Sequence, residues 1–223
     1  MFDLVIFDLD GVLVDSEGLA SEVVAEELSA RGCPISAQEV AERFAGFTDS
    51  ALARVLGEER GIDIGNDFPA RVAERAIARI KAGELPAMPG ARAVVERLAP
   101  WRRCVASNSA PARIKAALTA TGLLQWFPAG WRFSAREVKR PKPAPDLHLL
   151  AAKRMRVEPS RAVVVEDSPT GVEAAVAAGM TVIGFTGASH VPPGQAERLR
   201  ALGAVQVIEE LERLPEALGV LER

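Results

Sequence analysis

Two carboxylates, two residues apart, follow an apolar run near the start of the chain: Leu4-Val5-Ile6-Phe7 leads into Asp8-Leu9-Asp10-Gly11. Residues i and i+2 of an extended chain share a side, and Gly11 permits a sharp turn, so both acids aim at one place. A carboxylate directly after a buried strand is costly unless a cation offsets it, and a hard, oxygen-seeking ion such as Mg²⁺ is the natural partner. Alone, the pair also reads as two turn-forming aspartates. Three further clusters have the same double character. Ser107-Asn108-Ser109 precedes a helix opening at Ala110-Pro111; a hydroxyl there can meet an anion, or Ser109 or Asn108 can simply cap the helix. Lys142, between Pro141 and Pro143, can hold a fixed positive charge on a stiff loop, or be an ordinary solvated lysine. Glu166-Asp167 precede Ser168-Pro169-Thr170-Gly171. Ser168 at the N-cap with Pro169 at N1 is a clean helix start, and the two acids are either metal ligands or compensation for the helix dipole.

These clusters need a scaffold that brings them together. Short β-branched runs recur at Leu4–Phe7, Arg103–Ala106, Ala162–Val165, Thr181–Phe185 and Ala204–Ile208, each followed by a helical stretch. Near-continuous apolarity suits strands buried on both faces, and strand–helix alternation predicts a parallel sheet in an α/β fold. Such sheets gather their chemistry beyond the carboxyl ends of the strands. From about Ser16 to Glu84 the alternation stops and the patterns are helical: Glu22–Arg31, Val40–Phe44 behind a capping box at Ser36–Glu39, Ala51–Arg60 ending at Gly61, and Arg71–Lys81. The core resumes near Met88-Pro89-Gly90 with a helix at Ala91–Leu98. Four polar clusters are thus expected to end four strands of one sheet, supplying a nucleophile, a hydroxyl, a lysine and metal carboxylates.

On these motifs the chain resembles the haloacid dehalogenase (HAD) superfamily, in the branch with a helical cap inserted after the first motif. The matching pieces are Asp8-Leu9-Asp10-Gly11-Val12-Leu13-Val14-Asp15-Ser16-Glu17, Ser107-Asn108-Ser109, Lys142-Pro143-Ala144-Pro145-Asp146 and Glu166-Asp167-Ser168-Pro169-Thr170-Gly171-Val172, in the family's order along essentially the whole chain. One departure is Pro141, where the family often has Gly. The resemblance implies a Rossmann-like parallel sheet with helices on both faces, a catalytic core of residues 1–15 and 85–223, and an all-helical cap of residues 16–84. It implies a Mg²⁺-dependent phosphatase of small phosphate monoesters, sugar or sugar-acid phosphates among them. Asp8 is then the nucleophile that forms an aspartyl-phosphate, and Asp10 the general acid and base. Mg²⁺ is held by Asp8, the backbone carbonyl of Asp10 and Asp167, with Glu166 in or beside the shell. Ser107 and Lys142 hold the phosphoryl oxygens. Asn108, with Gly46 and Thr48 of the loop between two cap helices, completes the expected substrate contacts. Val14–Glu17 and Glu84–Pro89 are the expected hinges.

Three other readings compete with this one. A β-phosphoglucomutase-like mutase shares the core motifs but tends to carry basic residues in the cap loop, which here reads Gly46-Phe47-Thr48-Asp49-Ser50. A dehalogenase usually lacks the second acid of the first motif, and Asp10 is present. An idle binding or regulatory relative would have lost Asp8, Asp10 or Lys142.

Bulk properties narrow the classes further. With 223 residues, 48% hydrophobic and 26% charged, and a net charge of -3, the composition is that of an ordinary globular protein with no large basic block for nucleic acid. No run approaches the ~20 apolar residues that cross a bilayer. The first strand begins almost at the N-terminus, which predicts a cytoplasmic protein without a cleaved leader. Cys33 and Cys104 read as small buried thiols. His148 and His190 read as helix and loop residues, His190 near the strand-end face, and Trp101, Trp126 and Trp131 as aromatics in or at the edge of the core. A monomer or weak dimer acting on a small molecule is the expectation.

Overall fold

The computed structural model describes residues 2–44, 46–98 and 101–221. Six strands are found among them: β1 (Leu4–Phe7), β2 (Arg102–Ser107), β3 (Arg132–Ser134), β4 (Ala162–Glu166), β5 (Thr181–Phe185) and β6 (Gln206–Ile208). They form one all-parallel sheet in the order β3-β2-β1-β4-β5-β6. Chain order runs outward from β1 in both directions, so connections leave opposite sides of the sheet and a crevice opens between β1 and β4 at their carboxyl ends.

Side chains alternate across the sheet. Leu4 and Ile6 join Cys104, Ala106, Ala162, Val164 and Val182 in one fully buried layer. Leu147, Ala151 and Met155 of α7 (Asp146–Met155) and Val172 and Ala175 of α8 (Pro169–Ala177) pack against that layer. Val5 and Phe7 point to the other face, where Phe7 meets Phe127 edge-on with ring centroids 6.2 Å apart. Both faces are therefore apolar, which is why the strands read as unbroken hydrophobic runs.

The chain divides into two compact units, Met1–Asp15 with Pro86–Arg223, and Ser16–Leu85. The second is helical: α1 (Glu17–Ala30), α2 (Ala37–Phe44), α3 (Asp49–Arg60) and α4 (Phe68–Lys81). Amphipathic faces bury Val23, Leu28, Val40, Leu56, Phe68 and Ile80. Outside that core, Arg75 reaches buried Glu27 at 2.6 Å, and Arg79 bridges Glu22, Glu26 and Glu84. Ser36 accepts from the Glu39 N–H at 3.0 Å, while the Glu39 carboxylate pairs with Arg43 instead of closing the expected box.

In the sheet unit the remaining helices are α5 (Ala91–Arg97), α6 (Pro111–Ala120), α9 (Gln195–Ala201) and α10 (Leu214–Leu221). The strand expected over Ala204–Ile208 begins only at Gln206. β3 is an addition to the expected strands. Three residues that start with Arg132 carry too little apolar pattern to stand out, and pairing with β2 makes the strand. The expected hinge segments lie side by side: Asp15 N–H donates to Pro86 O at 3.1 Å, Met88 N–H donates to Leu13 O at 3.0 Å, and Val14 bridges Ala87. No described helix is long and apolar enough to cross a membrane.

Candidate active site

β1 delivers Asp8 beyond its last residue, where the Asp8 N–H still donates to Val165 O of β4 at 3.0 Å. The chain then folds tightly: Leu13 and Val14 N–H both donate to Leu9 O, and Gly11 N–H to Val14 O. Gly11 has φ +80°, and a Cβ there would collide with the Asp167 carboxylate. Only glycine lets the turn lie against the acid that follows β4.

β4 ends in Glu166, and Asp167 is the next residue. Asp8, Glu166 and Asp167 are buried and offer carboxylate oxygens within 4.8 Å of one another. Lys142 enters this cluster with its ammonium 2.7 Å from Asp8 and 2.7 Å from Glu166. It comes from a turn between β3 and α7, not from a strand end, which corrects the expectation of four clusters on four strand ends. That turn has Ala144 N–H donating to Pro141 O, a cis Lys142–Pro143 bond, and Lys142 N–H donating to Asn108 Oδ1 at 3.3 Å. Asn108 therefore anchors the lysine loop.

Three carboxylates face one lysine in a dry setting. Burial opposes the Lys142 charge, yet Asp8 and Glu166 outweigh it and hold its pKa above the usual lysine range. Burial also opposes the charge on Glu166, but Lys142 and the Ser168 hydroxyl, 2.8 Å away, bring it below its usual value. Burial and the Glu166 charge push Asp8 well above the carboxylate range. Burial drives Asp167 up to about 6, with His190 pulling the other way. The metal-free cluster thus carries more negative charge than its surroundings offset. The donors are hard oxygens, so a Mg²⁺-sized cation fits the deficit. Asp8 and Asp167 have oxygens to give. Glu166 has one oxygen on Lys142 and the other on Ser168, so it backs the lysine while lying in or beside the candidate ligand group.

Asp10 turns its carboxylate away from that cluster. Oδ2 accepts from Ser109 Oγ at 2.7 Å and lies 3.5 Å from Ser107 Oγ, and Oδ1 accepts from Arg113 at 3.0 Å. Ser107, the last residue of β2, accepts from the Ser109 N–H at 3.0 Å. The suggestion that Ser109 or Asn108 caps α6 is corrected: Ala110 is the N-cap, with no side-chain cap. Ser168 does cap α8, accepting from the Gly171 N–H at 3.1 Å, with Pro169 behind it.

Sequence reasoning missed Arg113 and underrated Ser109 and His190. Arg113 sits in the first turn of α6, where a cation opposes the helix dipole. That mismatch was the available sign that it needed an acid. His190 Nε2 lies 3.2 Å from Asp167 Oδ2. Its signal was its position after β5, on the strand-end face. His148 is buried in α7 with neither nitrogen hydrogen-bonded, and burial lowers its pKa to about 3, so it is a neutral packing residue. Trp101, Trp126 and Trp131 are half-buried, and Cys33 and Cys104 are buried thiols. Gly46 and Thr48 lie in the helical unit. Thr48 caps α3, accepting from the Ala51 N–H at 3.2 Å.

A family model of haloacid dehalogenase-like hydrolases matches residues 2–179. The chain belongs to that family. It is 31% identical over 192 residues to 6-phosphogluconate phosphatase of Escherichia coli, covering 86% of each chain. It is 33% identical over 181 residues to a phosphorylated carbohydrates phosphatase of Thermotoga maritima, covering 80% of this chain and 82% of the relative. Among solved structures it is similar to a conserved haloacid dehalogenase-like protein of unknown function from Agrobacterium tumefaciens. That likeness has 40% identity, covers 100% of both chains and gives a TM-score of 0.85.

Proposed function

We propose that the chain is a Mg²⁺-dependent phosphatase of small phosphate monoesters, sugar or sugar-acid phosphates in particular, working through an aspartyl-phosphate on Asp8. The observation that carries the proposal is the buried Asp8–Lys142–Glu166 contact beside Asp167, with Asp10 held two residues on by Ser109 and Arg113. The two relatives named as phosphatases of phosphorylated carbohydrates support the substrate class.

In this reading Asp8 attacks phosphorus. A bond forms from its carboxylate oxygen while the bond to the leaving oxygen breaks. Asp10 gives that oxygen its proton, then takes one from the water that cleaves the acyl phosphate. Lys142 has three N–H donors, two of them used on Asp8 and Glu166, which leaves one for a phosphoryl oxygen. The Ser107 hydroxyl donates only a long contact to Asp10, so it can turn to a second phosphoryl oxygen. Asp8, Asp167 and the Asp10 backbone carbonyl would hold Mg²⁺. When bound, the ion supplies the charge that keeps Asp8 ionised and offsets the negative phosphate. The helical unit is assigned as a cap that excludes water during the reaction.

The test is phosphate release from a panel of phosphomonoesters with Mg²⁺, alongside EDTA and Asp8→Asn controls. Metal-dependent release that is lost in Asp8→Asn supports the proposal and ranks the substrates. Interconversion of hexose 1- and 6-phosphates without net release would replace it with a mutase.

A further inference from the structure

The loop after β5 has no role in the chemistry above, yet two consecutive side chains of it reach the site. Ser189 Oγ donates to Asp15 Oδ1 at 2.8 Å, and His190 Nε2 lies 3.2 Å from Asp167 Oδ2. The imidazole also abuts Gly11: a Cβ built there would lie 3.1 Å from His190 Cε1, as well as striking Asp167. The loop is anchored at both ends, with Thr186 N–H donating to Ile208 O at 3.0 Å and the Gln195 side chain donating to Asp167 O at 2.8 Å. Its residues thus hold the first acidic turn on one side and the backbone and side chain of Asp167 on the other.

Asp167 needs such a partner. It is buried beside two other acids, and the Lys142 ammonium pairs with Asp8 and Glu166. We propose that His190 is a positioning residue of the cation site: its Nε2–H fixes the Asp167 carboxylate and leaves that group's remaining lone pairs to a divalent cation. This rests on the metal-dependent reading above. A carboxylate has about four lone-pair directions, so one N–H donor orients it without exhausting it. Hydrogen-bond partners of ligating carboxylates typically set affinity by about 10–100-fold, because an unheld ligand must be ordered when the ion binds. The role needs only a proton on Nε2, which a neutral ring can carry.

Mn²⁺ alone is the probe, titrated into metal-free protein and followed by loss of the free-ion electron paramagnetic resonance signal. His190→Ala and His190→Leu should weaken binding about 10–100-fold. His190→Gln, whose amide N–H reaches a similar point, should recover most of it. Thermal unfolding in EDTA, followed for all three, separates loss of the cation site from loss of the fold. Tight Mn²⁺ binding by His190→Ala, with binding lost in Asp167→Asn, would overturn the inference and leave the phosphatase reading standing. The inference falls in the same way if His190→Gln binds no better than His190→Leu. Wild-type protein that binds no Mn²⁺ would defeat the metal reading itself, and this inference with it.

Discussion

Arg113 and Asp10, 103 residues apart in the chain, meet at 3.0 Å, and the guanidinium holds one oxygen of the carboxylate while Ser109 holds the other. Two charge-assisted bonds keep the proposed acid–base group in one orientation. Hydrogen bonds to charged groups contribute about 1.5–3 kcal/mol, which is about 10- to 100-fold in rate if the orientation matters only during proton transfer. Arg113→Ala is expected to lower kcat by that factor with little change in KM, and Ser109→Ala by somewhat less. Steady-state kinetics on the best panel substrate checks this; an unchanged kcat in Arg113→Ala would remove the clamp from the mechanism.

Lys142→Met should destabilise the metal-free protein. Two buried acids then lose the cation between them, and breaking a buried pair costs about 3–5 kcal/mol. At about 2–4 °C per kcal/mol for a chain of this size, Tm in EDTA should fall by about 10 °C. Asp8→Asn in the same background removes one of the stranded charges and should recover part of the loss. Strict additivity of the two substitutions would contradict the coupling.

The pH response of the metal-free protein follows from Asp8 and Asp167, whose folded pKa values lie above the ordinary carboxylate value, Asp167 at about 6. The folded protein keeps protons that the unfolded chain has already released. The contribution of Asp167 to stability is complete below the unfolded pKa, about 4, and is lost as pH rises through about 6, and that of Asp8 has the same sign. Glu166 has the opposite sign: its folded pKa is lowered, so its contribution is lost only as pH falls below the ordinary range. In the proposed reading, Mg²⁺ would compete with the protons on Asp8 and Asp167. The gap in Tm between Mg²⁺ and EDTA samples should therefore widen from pH 4.5 to pH 7, and a constant gap would refute the competition.

Gly171→Ala tests the backing of Lys142. A Cβ at this position in α8 would strike the Glu166 side chain at Cγ, Cδ and Oε2. Overpacking of this kind costs about 1–3 kcal/mol. Here it would also push Glu166 off Lys142, so activity should fall along with Tm. Combining it with Glu166→Asp, one methylene shorter, should restore part of the stability. Thermal unfolding and phosphate release, measured together, decide it.

What the sequence disclosed follows from how each residue announces itself. Asp8, Ser107 and Glu166 stand out because a polar side chain after a run of buried β-branched residues breaks a pattern. Lys142 stands out because prolines flank it. β1, β4 and β5 were legible for the same reason, being buried on both faces. Arg113 was hidden in a helix of an arginine-rich chain, where its only mark was a conflict with the helix dipole. Ser109 offered a local explanation, capping, that its nonlocal bond to Asp10 replaces. The contacts of Glu166 with Lys142 and Ser168 join residues far apart in the chain or across a helix start, and no local pattern announces them. β3 exists through its pairing with β2, and pairing is not written in three residues.

The backbone ladder joining Leu13–Asp15 to Pro86–Met88 means that the chain departs from the sheet unit and returns to it at adjoining points. Everything between is topologically a long hairpin loop. An insertion of that kind can be exchanged, lengthened or excised without rerouting any strand. A short turn joining Asp15 directly to Pro86 is the natural splice for a minimal version of the sheet unit, and the same two positions are the sites at which to graft a helical insert from a relative.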